Sequence, residues 1–283
     1  MEITASVIVR SYNRLPALLE LIDALRVQNY RNFEIIIVEQ STDYNDEDWN
    51  KLEAVTATDQ RIKLLKYKPL GGPKARNEGV KNASGEILIF IDDDDLPASD
   101  EWIKGHIEAY QDPKLVGFTG RHIFEGNDGY PYLKWMTPII RNTCMSYSFF
   151  KFPYTFAQFN EDVENVEWLH GTNSSIRKEW ALKAGLWDVN VTNQDEHSFA
   201  FKLNKILTED LRLDFRSKPE LIRRMDIEGG MGKRSFSMKR EWKNQYNYCT
   251  KIIYRYYPAY KFFFPVHLLL ILMKVVKNKL ANL

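Results

Sequence analysis

Short apolar runs separated by polar turns set the rhythm of this chain. The first is Ser6-Val7-Ile8-Val9, the second Phe33-Glu34-Ile35-Ile36-Ile37-Val38, the third Ile62-Lys63-Leu64-Leu65 and the fourth Ile87-Leu88-Ile89-Phe90-Ile91. Each is of strand length. The second and fourth are apolar on both faces, as strands buried inside a parallel sheet are. Between the first two, Leu18, Leu19, Leu21, Ile22 and Leu25 recur at helical spacing, with Pro16 near the start. Residues 49–55 and 74–82 are expected to be further helices. Strands alternating with helices predict an α/β fold with a doubly wound, mostly parallel sheet. Farther on, the pattern predicts a helix over 98–112, a strand over 115–120 and a helix over 178–184. A helix over 195–207 and two late strands, 211–215 and 220–224, complete it. Residues 126–160 are rich in aromatics and poor in period.

The fourth run ends in Asp92-Asp93-Asp94-Asp95, and Pro97 stops it. Open α/β sheets bind ligands at the C-terminal ends of their strands. Four adjacent carboxylates repel one another, and a divalent cation would offset that. Hard oxygen ligands suit Mg²⁺ or Mn²⁺, which commonly also hold substrate phosphates. A solvated acidic loop that caps a helix fits the same four residues.

Charge changes the picture at one end. The net charge of +1 hides 18 Lys/Arg against 7 Asp/Glu in residues 201–283. From Gly229 onward there are 11 basic residues and one acidic residue, Glu241. Such a tail suggests an anionic partner. Cys144 and Cys249 form no motif, which fits a reducing compartment. The N-terminus leads straight into the first strand, and no signal peptide is expected. No GxGxxG fingerprint is present, so a dinucleotide-binding fold of that type is excluded.

Four motifs in order carry a resemblance. They are Val7-Ile8-Val9-Arg10-Ser11-Tyr12-Asn13-Arg14, Glu34 to Asp43, Gly71-Gly72-Pro73-Lys74-Ala75-Arg76-Asn77-Glu78-Gly79, and Ala83 to Asp94 with its DxD. Together the chain resembles the GT-A-fold glycosyltransferases of the large inverting family that includes bacterial polysaccharide synthases. The resemblance implies a catalytic domain over 1–228, with a nucleotide-sugar half (1–97) and an acceptor half (98–228). Residues 229–283 would be a basic, aromatic extension.

The resemblance further implies a nucleotide-sugar donor and a Mn²⁺ or Mg²⁺ cofactor. Asp92 and Asp94 would be the first and third residues of DxD, serving nucleotide and metal, with Asp93 between them. Asp95 would cap the next helix. Glu39 stands where the family has an Asp contacting the base; a carboxylate accepts from a uracil N–H, which favours UDP. Ser11, Asn13, Arg14, Lys74 and Arg76 complete the expected donor site. Arg76 and Lys74 would reach the phosphates, and Asn13 can equally close its own loop. Arg234, in Gly229-Gly230-Met231-Gly232-Lys233-Arg234, would close over the diphosphate; a plain hinge is the alternative there.

An inverting transfer needs one general base for the acceptor hydroxyl. Aligned on Phe199, Lys202 and Leu203, the resemblance gives this role to Glu196 and the neighbouring position to Asp195. A slip of one residue reverses the two. An acidic helix N-terminus that suits the dipole is the structural alternative. His197 is expected on the helix surface. Trp168, Thr172 and Asn173 would form the acceptor side, together with the aromatic segment 130–160. The family's late metal-binding His has no match; Arg223 or Arg224 falls there, and Asp226 could substitute.

The acceptor class implied is a saccharide or lipid-linked saccharide, with the enzyme cytoplasmic and peripheral at the inner face of the plasma membrane. Residues 252–276 are aromatic, apolar and flanked by lysines. Their longest unbroken apolar run, Leu268 to Met273, is short of the ~20 residues of a spanning helix. A surface-lying element is therefore expected, or a helix packed on the domain or on a second subunit of a homodimer. Nucleic acid is not an expected partner, though a basic tail permits it. Two other readings stand beside the leading one. A nucleotidyltransferase would need a basic glycine-rich turn near residues 10–16, which is lacking. A non-catalytic carbohydrate-binding protein would not need the pairs Asp92/Asp94 and Asp195/Glu196.

Overall fold

The computed structural model describes residues 4–124, 137–191, 193–228 and 235–280. Four parallel strands form one half of the sheet: β1 (Ala5–Ser11), β2 (Phe33–Glu39), β3 (Ile62–Lys66) and β4 (Ile87–Asp92), in the order β3-β2-β1-β4. Helices α1 (Leu15–Arg26), α2 (Asp46–Ala57) and α3 (Gly72–Asn82) connect them. β1, β2 and β4 are buried on both faces, whereas the edge strand β3 is partly exposed. Val7, Val9, Ile35, Ile37, Ile89 and Ile91 face one core with α1. Ile8, Ile36, Val38, Leu88 and Phe90 face the other with Ala75 and Val80 of α3. Helices on both faces explain why these strands lack polar alternation.

The second half of the sheet is mixed. β8 (Ser174–Arg177) lies antiparallel to β4 and to β6 (Leu115–Phe124), and β6 runs parallel to β9 (Arg212–Arg223). Helix α4 (Trp102–Glu108) precedes β6, with α5 (Thr137–Thr143), β7 (Val163–Glu164), α6 (Lys178–Lys183) and α7 (Asp195–Asn204) after it. The two late strands expected at 211–215 and 220–224 are one strand, β9. Its register against β6 shifts between Gly120 and Arg121, which absorbs the polar stretch around Pro219. A short strand, β5 (Asp95–Pro97), pairs antiparallel with Leu221–Arg223 of β9. Asp95 therefore caps no helix: it sits in a strand, and Glu101 precedes α4.

The C-terminal region folds back onto the domain. It runs through α8 (Met238–Asn247), a wider π-type turn at Tyr248–Ile253, the short α9 (Tyr254–Tyr256), a 3-10 stretch at Pro258–Phe263 and α10 (Phe264–Leu280). Tyr248, Ile252, Ile253, Ile271 and Val275 pack with Val191 and with Phe201 of α7. Of the aromatic segment, 125–136 lies outside the described residues. Tyr147 and Phe152 pack against this C-terminal cluster rather than standing open. Pro258–Leu280 is a 23-residue helical stretch that contains an 18-residue window of mean hydropathy 1.7, 17% of which is buried. By length and composition it could cross a membrane, which its short unbroken apolar run did not suggest.

Candidate active site

A cavity of about 690 Å³ opens at the C-terminal ends of β1, β2 and β4. Arg10, Ser11, Tyr12, Asn13, Arg14, Gln40, Pro69, Gly71, Gly72, Asp92, Asp94 and Arg223 line it. The sheet end supplies most of these groups. The parallel register sets Arg10, the first polar residue after the apolar run of β1, directly beside Asp92, the last residue of β4.

Arginines surround the four carboxylates. Arg10 Nη2 donates to Asp92 Oδ1 at 2.5 Å. Arg14 spans Asp93 Oδ1 at 2.6 Å and Asp94 Oδ2 at 2.5 Å. Arg223 Nε lies 3.0 Å from Asp95 Oδ1. Arg224 donates to the carbonyl of Asp94 and pairs with Glu20. Burial works against the charge of Asp92, yet Arg10, Arg223 and Arg76 hold its carboxyl down to about 2. Asp93 and Asp95 go the other way. Burial outweighs the arginines and the neighbouring carboxylates add to it, lifting them to about 7 and about 8.

These residues fit a hard cation. Carboxylate oxygens of Asp92, Asp94 and Asp95 lie within 4.8 Å of one another, a donor set that suits Mg²⁺ or Mn²⁺. Asp93 is not of that group; it is fully buried and accepts from the Tyr12 amide at 3.3 Å, bracing the loop after β1. Asp226 is exposed and also stands outside the group.

The second acidic pair opens α7. Asp195 is buried and ion-paired with Arg76 of α3, whose Nη2 also donates to the Gly171 carbonyl at 3.2 Å. Arg76 is 2% exposed and braces α7; it does not lie on an open helix surface, nor is it among the residues that line the cavity. Among the described residues Glu196 pairs with no lysine or arginine, and its side chain is 25% exposed. Burial, then the charge of Asp195, raises the Glu196 carboxyl above the ordinary range. His197 is not on the surface. It is buried, 3.0 Å from the Tyr147 hydroxyl, and packs edge-on to Trp168 and Tyr248.

The remaining expected residues fall into two groups. Ser11, Asn13 and Arg14 stand on the cavity wall. Asn13, at φ 55°, also clamps the loop after β2: its Oδ1 accepts from the Thr42 amide at 2.9 Å and its Nδ2 donates to Asp43. Glu39 and Lys74 do not line the cavity. Glu39 is fully buried; its Oε1 accepts from the Gln40 and Ser41 amides, while Oε2 has no partner among the described residues. Lys74 is exposed. Arg234 lies outside the described residues.

The three residues expected on the acceptor side are buried braces. Thr172 Oγ1 accepts from the Asp92 amide at 3.1 Å and donates to Asp95 Oδ2 at 3.1 Å. Asn173 donates to the carbonyls of Arg121 and Pro219 and accepts from Trp102 Nε1. Trp168 is 1% exposed and offers no open face to a sugar. Tyr12, Gln40, Gly71, Gly72 and above all Arg10 are wall residues that lie inside the motifs but were given no role, and Pro69 lies outside them. Arg10 had a signal, since it ends the apolar run of β1 as Asp92 ends that of β4.

The chain matches the family model "Glycosyl transferase family 2" over residues 6–184. It is 32% identical over 112 residues to the amylovoran biosynthesis glycosyltransferase AmsB of Erwinia amylovora, covering 38% of this chain and 34% of that protein. It is 31% identical over 104 residues to WfgD of Escherichia coli, covering 36% of this chain and 38% of that protein. WfgD is named as a UDP-Glc:alpha-D-GlcNAc-diphosphoundecaprenol beta-1,3-glucosyltransferase. An uncharacterized glycosyltransferase of Rickettsia conorii is 41% identical over 91 residues, 32% of this chain and 15% of that protein. The aligned stretches thus span well under half of these relatives. Among solved structures, GalNAc-T7 with UDP, GalNAc and Mn²⁺ superposes with a TM-score of 0.62 at 15% identity, over 84% of this chain and 46% of that one. S. aureus TarS with UDP-GlcNAc gives 0.57 at 18% identity, over 86% and 64%. The fold is thus GT-A, the acidic strand end coincides with the fourth of the motifs first read in the sequence, and the chain belongs to glycosyl transferase family 2.

Proposed function

We propose that this enzyme moves a sugar, with inversion, from a nucleoside-diphosphate donor, UDP by preference, to a hydroxyl of a saccharide or lipid-linked saccharide. The observation that carries this reading is the cavity at the sheet end, walled by Asp92 and Asp94 on one side and by Gly71-Gly72 at the start of α3 on the other. Anions suit such helix starts. Asp92, Asp94 and Asp95 would hold a Mn²⁺ or Mg²⁺ ion, whose chemistry there is to neutralise charge on the diphosphate. WfgD is named for UDP-Glc and TarS was solved with UDP-GlcNAc, which supports UDP as the donor nucleotide.

Glu196 serves as general base in this reading, and Asp195 does not. Asp195 is already neutralised by Arg76, whereas Glu196 keeps a partly open carboxyl of raised basicity. The acceptor oxygen gives its proton to Glu196 and bonds to the anomeric carbon. The bond from that carbon to the diphosphate oxygen breaks, and its electron pair leaves on the nucleoside diphosphate. Attack opposite the leaving group inverts the centre. The exposed Phe262, Leu269, Leu272, Met273 and Leu280 beside Lys277 and Lys279 support peripheral contact with an anionic membrane, where a lipid-linked acceptor resides.

Release of UDP from a panel of UDP-sugars with Mn²⁺ tests the donor reading. Turnover is expected with at least one sugar and is lost in EDTA and in Asp94→Asn. Full turnover in EDTA would contradict the metal role.

A further inference from the structure

We propose that Arg10 binds the donor diphosphate, leaving Asp92 when the donor arrives and holding the departing nucleoside diphosphate. The proposal rests on the reading of the cavity as a nucleotide-sugar site. Three observations converge on this residue.

First, Arg10 stands between the acidic strand end and the start of α3. One guanidinium nitrogen is 2.5 Å from Asp92 Oδ1. The other is so close to α3 that a Cβ on Gly72 would come within 2.7 Å of it. The opening of α3 is shaped for a ligand, with Gly71 at φ +80° and no side chain capping the helix. The guanidinium and the first turn of α3 thus present donors to one space.

Second, Arg10 is more releasable than its neighbours. Arg76 is 2% exposed and locked to Asp195, and Arg223 is 8% exposed and locked to Asp95. Arg14 spans two carboxylates. Arg10 holds one carboxylate and its side chain is 21% exposed on the cavity wall.

Third, the exchange conserves charge. A cation held by Asp92 removes that carboxylate's need for Arg10. The planar guanidinium then has its donor fork free, a shape that matches paired phosphate oxygens.

The test is calorimetric titration of the full chain with Mn²⁺ alone, and with UDP and GDP in turn at saturating Mn²⁺. In Arg10→Gln, nucleoside diphosphate affinity is expected to fall about 10- to 100-fold, the loss of a charge-assisted contact. Affinity for Mn²⁺ alone is expected to hold or rise, because a competitor for Asp92 is gone. Uridine binding stays unchanged, and Arg10→Lys recovers part of the diphosphate affinity. If Arg10→Gln does not fold, Arg10→Lys decides: weakened diphosphate binding supports the proposal and wild-type binding overturns it. Diphosphate affinity that is unchanged, or that rises together with Mn²⁺ affinity, would make Arg10 merely the counter-ion of Asp92. A wild-type chain that binds neither UDP nor GDP overturns the donor reading itself, and this proposal with it.

Discussion

At the scale of single residues, the site is built from unequal pairs. Asp195 and Glu196 are adjacent in sequence, yet Arg76 takes one and leaves the other. That asymmetry was not legible in the sequence, because Arg76 is 119 positions away from Asp195. The same holds for Arg10 and Asp92, 82 positions apart and brought together only by strand register. The order of the acidic residues could be read; what neutralises them could not. The pH dependence follows from Glu196, the member that no described lysine or arginine pairs with. Burial and Asp195 push Glu196 up to about 7, and a general base must be ionised to act. The rate is therefore expected to rise with pH through an acid limb centred well above the ordinary Glu value of 4.5. The sign for stability is opposite. The folded state holds this proton more tightly than the unfolded state, so ionisation costs stability as pH rises above 4.5. Glu196→Gln should melt above wild type at pH 8, with the gap closing toward pH 5. An acid limb near 4.5, or a variant less stable at pH 8, would contradict this account of Glu196.

At the scale of elements, β1, β2 and β4 were legible because their apolar runs are buried on both sides, and β3 because its short apolar run recurs at the same rhythm. β5 and the continuity of β9 were not. Asp95–Pro97 carries an acid and a proline, and it counts as a strand only because Leu221–Arg223 lies alongside. His197 was misjudged for a related reason. The α7 period gives one face to the sheet, but the folded-back C-terminal region buries a second face through Tyr248. The seat of α3 on β1 makes a separate test. A Cβ at Gly79 would lie 2.4 Å from Ile8 Cγ2, and Ile8 is 1% exposed in the sheet centre. Alanine gains up to about 1 kcal/mol of helix propensity over glycine. Overpacking a closed core costs about 1–3 kcal/mol. Ile8 has no room to yield, so the clash wins. Gly79→Ala should lower Tm by several degrees; an unchanged or higher Tm would show that the helix shifts freely.

At the scale of the whole molecule, two acidic centres share one sheet end, and a C-terminal region packs behind the second. Phe201 of α7 lies in the same cluster as Ile271 of α10, so whatever α10 rests on also steadies the helix that carries Glu196. The outer face of α10 is apolar with lysines at its end. The full chain is expected to float with vesicles rich in anionic phospholipid, and less in high salt. A chain that stays in solution with such vesicles would dismiss the membrane role. The central claim is that donor binding and proton removal belong to separate centres, the first at Asp92 and Asp94 and the second at Glu196. The direct measurement is to titrate Glu196→Gln with UDP in Mn²⁺ and to assay the same preparation for sugar transfer. The account predicts wild-type UDP affinity with transfer reduced by about 100-fold or more. Transfer that survives in Glu196→Gln and disappears in Asp195→Asn would contradict it.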